Sequence, residues 1–129
     1  MQKCVEQLND IKKNNQARHF KESFDILSKL LTENPENYLV KIYLGLTYLE
    51  RGLFCHNTED LEKAKEVLAV VAEQNLGFSE ISVQDIWETI NWIEYFLVAQ
   101  EKVSECRHAL IEKLERAEQR GPTFDPQLN

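Results

Sequence analysis

Residues 34–52 read NPENYLVKIYLGLTYLERG. The segment opens on helix-start chemistry, closes on a glycine, and is apolar on nearly every side in between. An ordinary surface helix has one apolar stripe and a charged back. This segment is therefore expected to be the central helix against which the others pack. Asn34 caps it with Pro35 in the first turn, or Asn37 caps it slightly later. It is expected to run to about Arg51, with Gly52 as the left-handed residue after it.

Upstream, Cys4, Leu8 and Ile11 recur at helical spacing over residues 2–15, with Val5 beside them. Phe20, Phe24, Leu27 and Leu31 form a stronger row between Arg18 and Leu31, widened by Ile26 and Leu30. The two segments predict an αα-hairpin joined near residues 15–17. Thr32-Glu33-Asn34 ends the second helix before Pro35, because the residue before a proline disfavours the helical region.

Downstream, Leu53-Phe54-Cys55-His56 reads as an apolar connector. Asn57 or Thr58 then caps a fourth helix whose buried row is Leu61, Ala64, Leu68 and Val71, reinforced by Val67. Asn75-Leu76-Gly77 ends it. Ser82 with Asp85 forms a capping pair for a fifth helix. Ile86, Trp87, Ile90, Ile93 and Leu97 make one stripe of that helix, and Trp92, Phe96 and Ala99 another. The pattern continues through Val103, Leu110, Leu114 and Ala117 with no Gly or Pro, as one long helix or as a pair bent near residues 100–104. Trp87 and Trp92 are expected in the core. The tail 121–129 is irregular, since Pro122 and Pro126 do not continue a helix interior. No strand alternation of useful length occurs, so the class is all-α, with five to six helices arranged as three successive pairs.

The chain of 129 residues is long enough for one core, read as a single domain over 1–120. No apolar run approaches the ~20 residues of a membrane span. Three cysteines far apart give no disulfide framework, and no Asn-x-Ser/Thr acceptor is present. Both fit a reducing compartment, cytoplasmic or nuclear. The net charge is −7. Residues 1–57 hold eight Lys/Arg and seven Asp/Glu, and residues 58–129 hold seven and fifteen. Without a basic stripe, direct nucleic-acid binding lacks its main driving force. The acidic segment is either a solvated face or a lure for a basic protein partner.

Leu44-Gly45-Leu46-Thr47-Tyr48 reproduces the L-G-x2-Y part of the tetratricopeptide-repeat pattern. Ala64 and Leu68 take the A-x3-F spacing. In the preceding unit Ser23 and Leu27 take those places, with Pro35 at the expected distance after them. Residues ~4–37 and ~38–77 thus resemble two tetratricopeptide-repeat (TPR) units. Lys41 stands where a large apolar residue usually opens the motif. An insertion around Cys55–Glu62 lengthens the turn inside the second unit, and residues after 83 fit two conflicting frames. The resemblance implies antiparallel helical hairpins stacked as a short right-handed array.

The resemblance also implies that the first helix of each pair lines a concave surface. Leu39, Ile42, Tyr43, Leu46 and Leu49 would lie there with Glu50 at the edge, flanked by Leu8, Trp92 and Tyr95. Relatives that grip a peptide carboxylate use Lys, Arg and Asn on this face, whereas these positions are largely apolar. The expected role is a non-catalytic adaptor or scaffold, a complex subunit that binds an amphipathic helix or peptide, with or without a basic character. The alternatives are that the apolar side is buried within the chain or filled by its own tail through Phe124 and Leu128, or that the hairpins self-associate as a homo-oligomer or cap a larger helical assembly.

Chemistry-bearing patterns are few. Glu105 and His108 have the Glu-x-x-His spacing of di-iron bundles, yet the second such pair that site needs is missing from the sequence. Cys55-His56 are adjacent residues, which rarely point at one another. No phosphate loop, dinucleotide fingerprint, HExxH or Gly-x-Ser-x-Gly motif is present. No enzyme, metal or cofactor is therefore expected.

Overall fold

The computed structural model describes residues 2–74 and 82–119. They form five helices: α1 (Gln2–Gln16), α2 (Phe20–Glu33), α3 (Tyr38–Cys55), α4 (Thr58–Glu73) and α5 (Val83–Gln119). No strand occurs among the described residues, and the fold is all-α. The expected stop at residues 75–77, the tail 121–129 and the Cys4 side chain lie outside the described residues. Contacts divide the chain into two units, Met1–Glu94 and Tyr95–Asn129.

The first unit is built on two helical hairpins. Ala17 to His19 join α1 to α2, and Arg18 takes a left-handed conformation (φ 66°) to make the reversal. Leu8, Ile11, Leu27, Leu30 and Val40 form the core between α1, α2 and α3, and Phe24, Ile26, Leu31, Leu39, Tyr43 and Leu44 pack around it. Val5 is exposed, so the α1 stripe is narrower than its sequence pattern. Within this apolar core sits a buried polar trio that ties three helices together. Asn15 Nδ2 donates to Thr47 Oγ1 (3.0 Å), and Ser23 Oγ donates to Asn15 Oδ1 (2.6 Å). Thr47 Oγ1 donates in turn to Tyr43 O (2.8 Å). Each hydroxyl proton thus has an acceptor, and the amide both gives and receives, so burying the group costs little.

Asn37 caps α3, its side chain accepting from Val40 N (3.2 Å), and Asn34 terminates α2 instead. Helix α3 does not stop near Arg51. It continues to Cys55, and the left-handed residue is His56 (φ 54°), not Gly52. Leu53 to Cys55 are helical, and the turn to α4 is only His56-Asn57. The expected insertion therefore lengthens the helices and leaves the turn tight. The reason is the use Gly52 serves. A Cβ there would lie 2.8 Å from Leu61 Cδ2, and one on Gly45 would lie 2.9 Å from Leu68 Cγ. Both glycines mark close approach of α4, and neither is needed for a turn. The paired positions run in opposite order at the same seven-residue spacing, which fixes α3 and α4 as antiparallel. Tyr38 Oη donates to Gln74 Oε1 (2.6 Å) in the same register at the other end.

Asn57 caps α4, accepting from Glu59 N (3.0 Å) and Asp60 N (3.3 Å). Leu61, Ala64, Leu68 and Val71 are buried as their spacing predicts. Ser82 and Asp85 cap α5 reciprocally, Ser82 N donating to Asp85 Oδ2 (3.0 Å) and Asp85 N to Ser82 Oγ (3.1 Å). Of the two forms the sequence allows after residue 83, one long helix or a bent pair, the chain takes the single 37-residue helix α5. Ile86, Ile90 and Ile93 are buried in the first unit. Trp92, expected in the core, is 64% exposed, and Trp87 is also exposed.

Two outcomes test these interactions. Alanine at Gly45 gains about 1 kcal/mol of helix propensity but overpacks Leu68 by roughly 1–3 kcal/mol. Gly45→Ala should lower stability to urea in the parent chain and raise it in a Leu68→Ala background. Equal effects in both backgrounds would remove the close contact from the account. The hydrogen bond from the Ser82 backbone N–H, with the Ser82 hydroxyl adding to it, holds the Asp85 carboxyl below the ordinary aspartate range. A depressed folded-state pKa means that the cap is present above the unfolded-state value and lost as pH falls through the folded one. Amide exchange at Ser82 and in the first turn of α5 should therefore quicken only below the usual aspartate range.

Candidate functional site

The residues proposed from the sequence to line a groove fall into three groups. Leu39 and Tyr43 pack against the core shared by α1, α2 and α3, and Ile42 is buried. Leu46 is half-buried, and with Ile42 and Leu68 it borders an apolar cavity of about 170 Å³ completed by Asp85, Ile86 and Thr89. Leu49 is half-buried one turn further along α3. Trp92 and Tyr95 expose most of their surface, and Tyr95 begins the second unit. The cavity forms because Gly45 draws α4 onto α3, which sets Leu68 beside Leu46. Asp85 and Thr89, one turn apart on α5, supply its polar rim.

A second feature has no counterpart in the sequence reading. Arg18, Glu50, Leu53, Phe54 and His56 surround an open cleft of about 540 Å³. The Arg18 guanidinium lies 4.6 Å from the Phe54 ring centre, and Phe20 stands 6.2 Å from that ring. Arg18 and His56 are the positive-φ non-glycine residues among those described. The cleft exists because both hairpin turns use a left-handed residue with a large side chain. Reading residues 53–56 as a connector hid it, since Phe54 projects here from a helix.

Next to this cleft a ladder of charge and aromatic contacts crosses α2, α3 and α4. Arg51 donates to both Asp60 oxygens at 2.7 Å from Nε and Nη2. Its guanidinium also lies 4.4 Å from the Phe24 ring centre, and Phe24 meets Tyr48 at 4.7 Å. The Asp60 hydrogen bond raises the Arg51 pKa, with burial acting in the opposite direction. The Asp60 side chain is 3% exposed and that of Arg51 is 34%. This pair is structural: Arg51 occupies both Asp60 oxygens, and the carboxylate has almost no solvent contact.

Among the described residues no group of three or more His, Cys, Asp or Glu is placed to hold a metal ion. No helix among them is long and apolar enough to cross a membrane. Cys55 and Cys106 are exposed free thiols.

Removing Arg51 should strand the Asp60 carboxylate. Arg51→Ala is expected to cost roughly 2–3 kcal/mol in urea unfolding, less than a fully buried pair because solvent reaches the guanidinium. Arg51→Lys should recover only part of this, as an ammonium does not bind both oxygens in a plane. Full recovery by lysine would show that charge alone matters. Compared with protein families, with curated proteins and with solved structures, the chain yields no match.

Proposed function

We propose that the chain is a non-catalytic interaction module built from TPR-like hairpins, which receives an amphipathic helix or peptide of a partner protein beside α3. The observation that carries this reading is the open apolar pocket that Leu46 shares with Ile42, Leu68 and Ile86 among the described residues. Leu46 and Leu49 remain partly accessible on the same side of α3. The L-G-x2-Y core around Gly45, the buried small residues Ser23 and Ala64, and the two tight hairpins are consistent with the repeat pattern.

An incoming segment that buries four large apolar side chains gains ~6–12 kcal/mol before ordering costs, enough for micromolar affinity after them. Ile42 and Tyr43 contribute by holding Leu46 in place, because both already serve the core.

The experiment is capture from native extract by the parent chain and by Leu46→Asp and Leu49→Asp, with helical content followed by circular dichroism. A partner segment that seats here should bind the parent and lose at least about tenfold in affinity to both variants. A partner that binds folded variants as well as the parent would place its site elsewhere.

A further inference from the structure

The second unit contains the distal part of α5, whose side chains divide into three faces. Phe96, Ala99, Val103, Cys106, Leu110 and Leu114 recur at separations of three, four, three, four and four. That is the spacing of a seam that packs against another helix. It extends about 27 Å at 1.5 Å per residue. The seam is open: Val103, Leu110 and Leu114 are 68%, 60% and 54% exposed.

The charges are not scattered around this seam. At 3.6 residues per turn, Lys102 and Lys113 fall along one border of the seam, and Arg107 lies on the other with Glu118 just beyond it. Glu101, Glu105, Glu112 and Glu115 fall on the opposite face, where Arg116 is the one cation. A helix that needed only solubility gains nothing from such sorting, since mixed charges on the back would serve. Lys102 Nζ lies 3.8 Å from Glu105 Oε2, a solvent-exposed pair that holds the lysine only weakly.

We propose that this seam docks an amphipathic helix of another protein whose own apolar stripe is bordered by aspartate or glutamate. Cations on the borders would then meet anions across the interface, as border positions do in paired helices. A second copy of this chain fits poorly. Parallel pairing sets Lys102 against Arg107, and antiparallel pairing sets the border of Lys102 and Lys113 against itself. An anionic membrane surface fits poorly too. Residues 95–119 carry four cations and five carboxylates, a net −1, so the segment as a whole is not drawn to negative lipid.

The test uses the full chain and two fluorescent peptides of about four heptads with identical Leu/Val seams, one bordered throughout by Glu and the other by Lys. Binding is followed by anisotropy at two salt concentrations. The Glu-bordered peptide is expected to bind at least about tenfold more tightly, with the advantage shrinking as salt rises. Val103→Asp should abolish that binding. The combined Lys102→Glu, Arg107→Glu and Lys113→Glu variant should transfer the preference to the Lys-bordered peptide, and it decides the matter if Val103→Asp unwinds the helix. Leu46→Asp should leave binding unchanged, which separates this seam from the α3 cavity. Equal affinity for both peptides, binding of neither, or loss of binding in Leu46→Asp would overturn the proposal. So would a concentration-dependent dimer, or capture by phosphatidylserine vesicles, that Leu110→Asp eliminates.

Discussion

The approach of α4 to α3 at two glycines is the constraint on which the first unit depends. Gly45 and Gly52 stand seven residues apart, and Leu68 and Leu61 oppose them at the same spacing in reverse. Any other register would bring a side chain where only hydrogen fits. The same contact sets Asp60 opposite Arg51 and carries Arg51 over Phe24, so α2 is indexed to α4 through α3. It also determines the cavity beside Leu46, because Leu68 forms one of its walls. A helix that is apolar on several sides is then accounted for. One side of α3 meets the first hairpin, another meets α4, and a third borders the cavity.

Much of the helical order was legible because it depends on spacing and capping, which are local. Asn37, Asn57 and the Ser82–Asp85 pair lie where their side chains reach free N–H groups, and the sequence shows them directly. The misplaced end of α3 has a tertiary cause. Gly52 satisfies every local criterion for a helix stop, but it is needed for the approach of Leu61, and His56 takes the left-handed position instead. Locally, a glycine chosen for its missing Cβ looks like a glycine chosen for positive φ. The two tryptophans misled for a related reason, since size and apolar character do not say which side of a long helix has neighbours.

The proposed groove residues were only partly separable in sequence. Leu39, Ile42, Tyr43, Leu46 and Leu49 share an apolar character, yet the first three are already used by the core and Leu46 borders open space. That distinction depends on where α1, α2 and α4 sit, which periodicity along α3 does not encode. The cleft around Arg18 and Phe54 was illegible because it joins two turns thirty-odd residues apart in sequence. The charge sorting along α5, by contrast, is visible once the helix is known to be continuous.

The trio of Asn15, Ser23 and Thr47 has a consequence for how this chain can change over generations. Asn15 gives an amide N–H to Thr47 and takes the Ser23 proton in a space without water. Losing Ser23 or Thr47 alone therefore leaves a buried amide atom without its partner, whereas both hydroxyls keep a backbone acceptor if Asn15 is lost. Losing all three to apolar groups of similar shape removes the need along with the partners and is nearly neutral. The unfavourable intermediates are those that keep Asn15 without Ser23 or Thr47. The three positions, one on each of the first three helices, are thus linked in order: a route from this trio to an apolar core passes through Asn15 first.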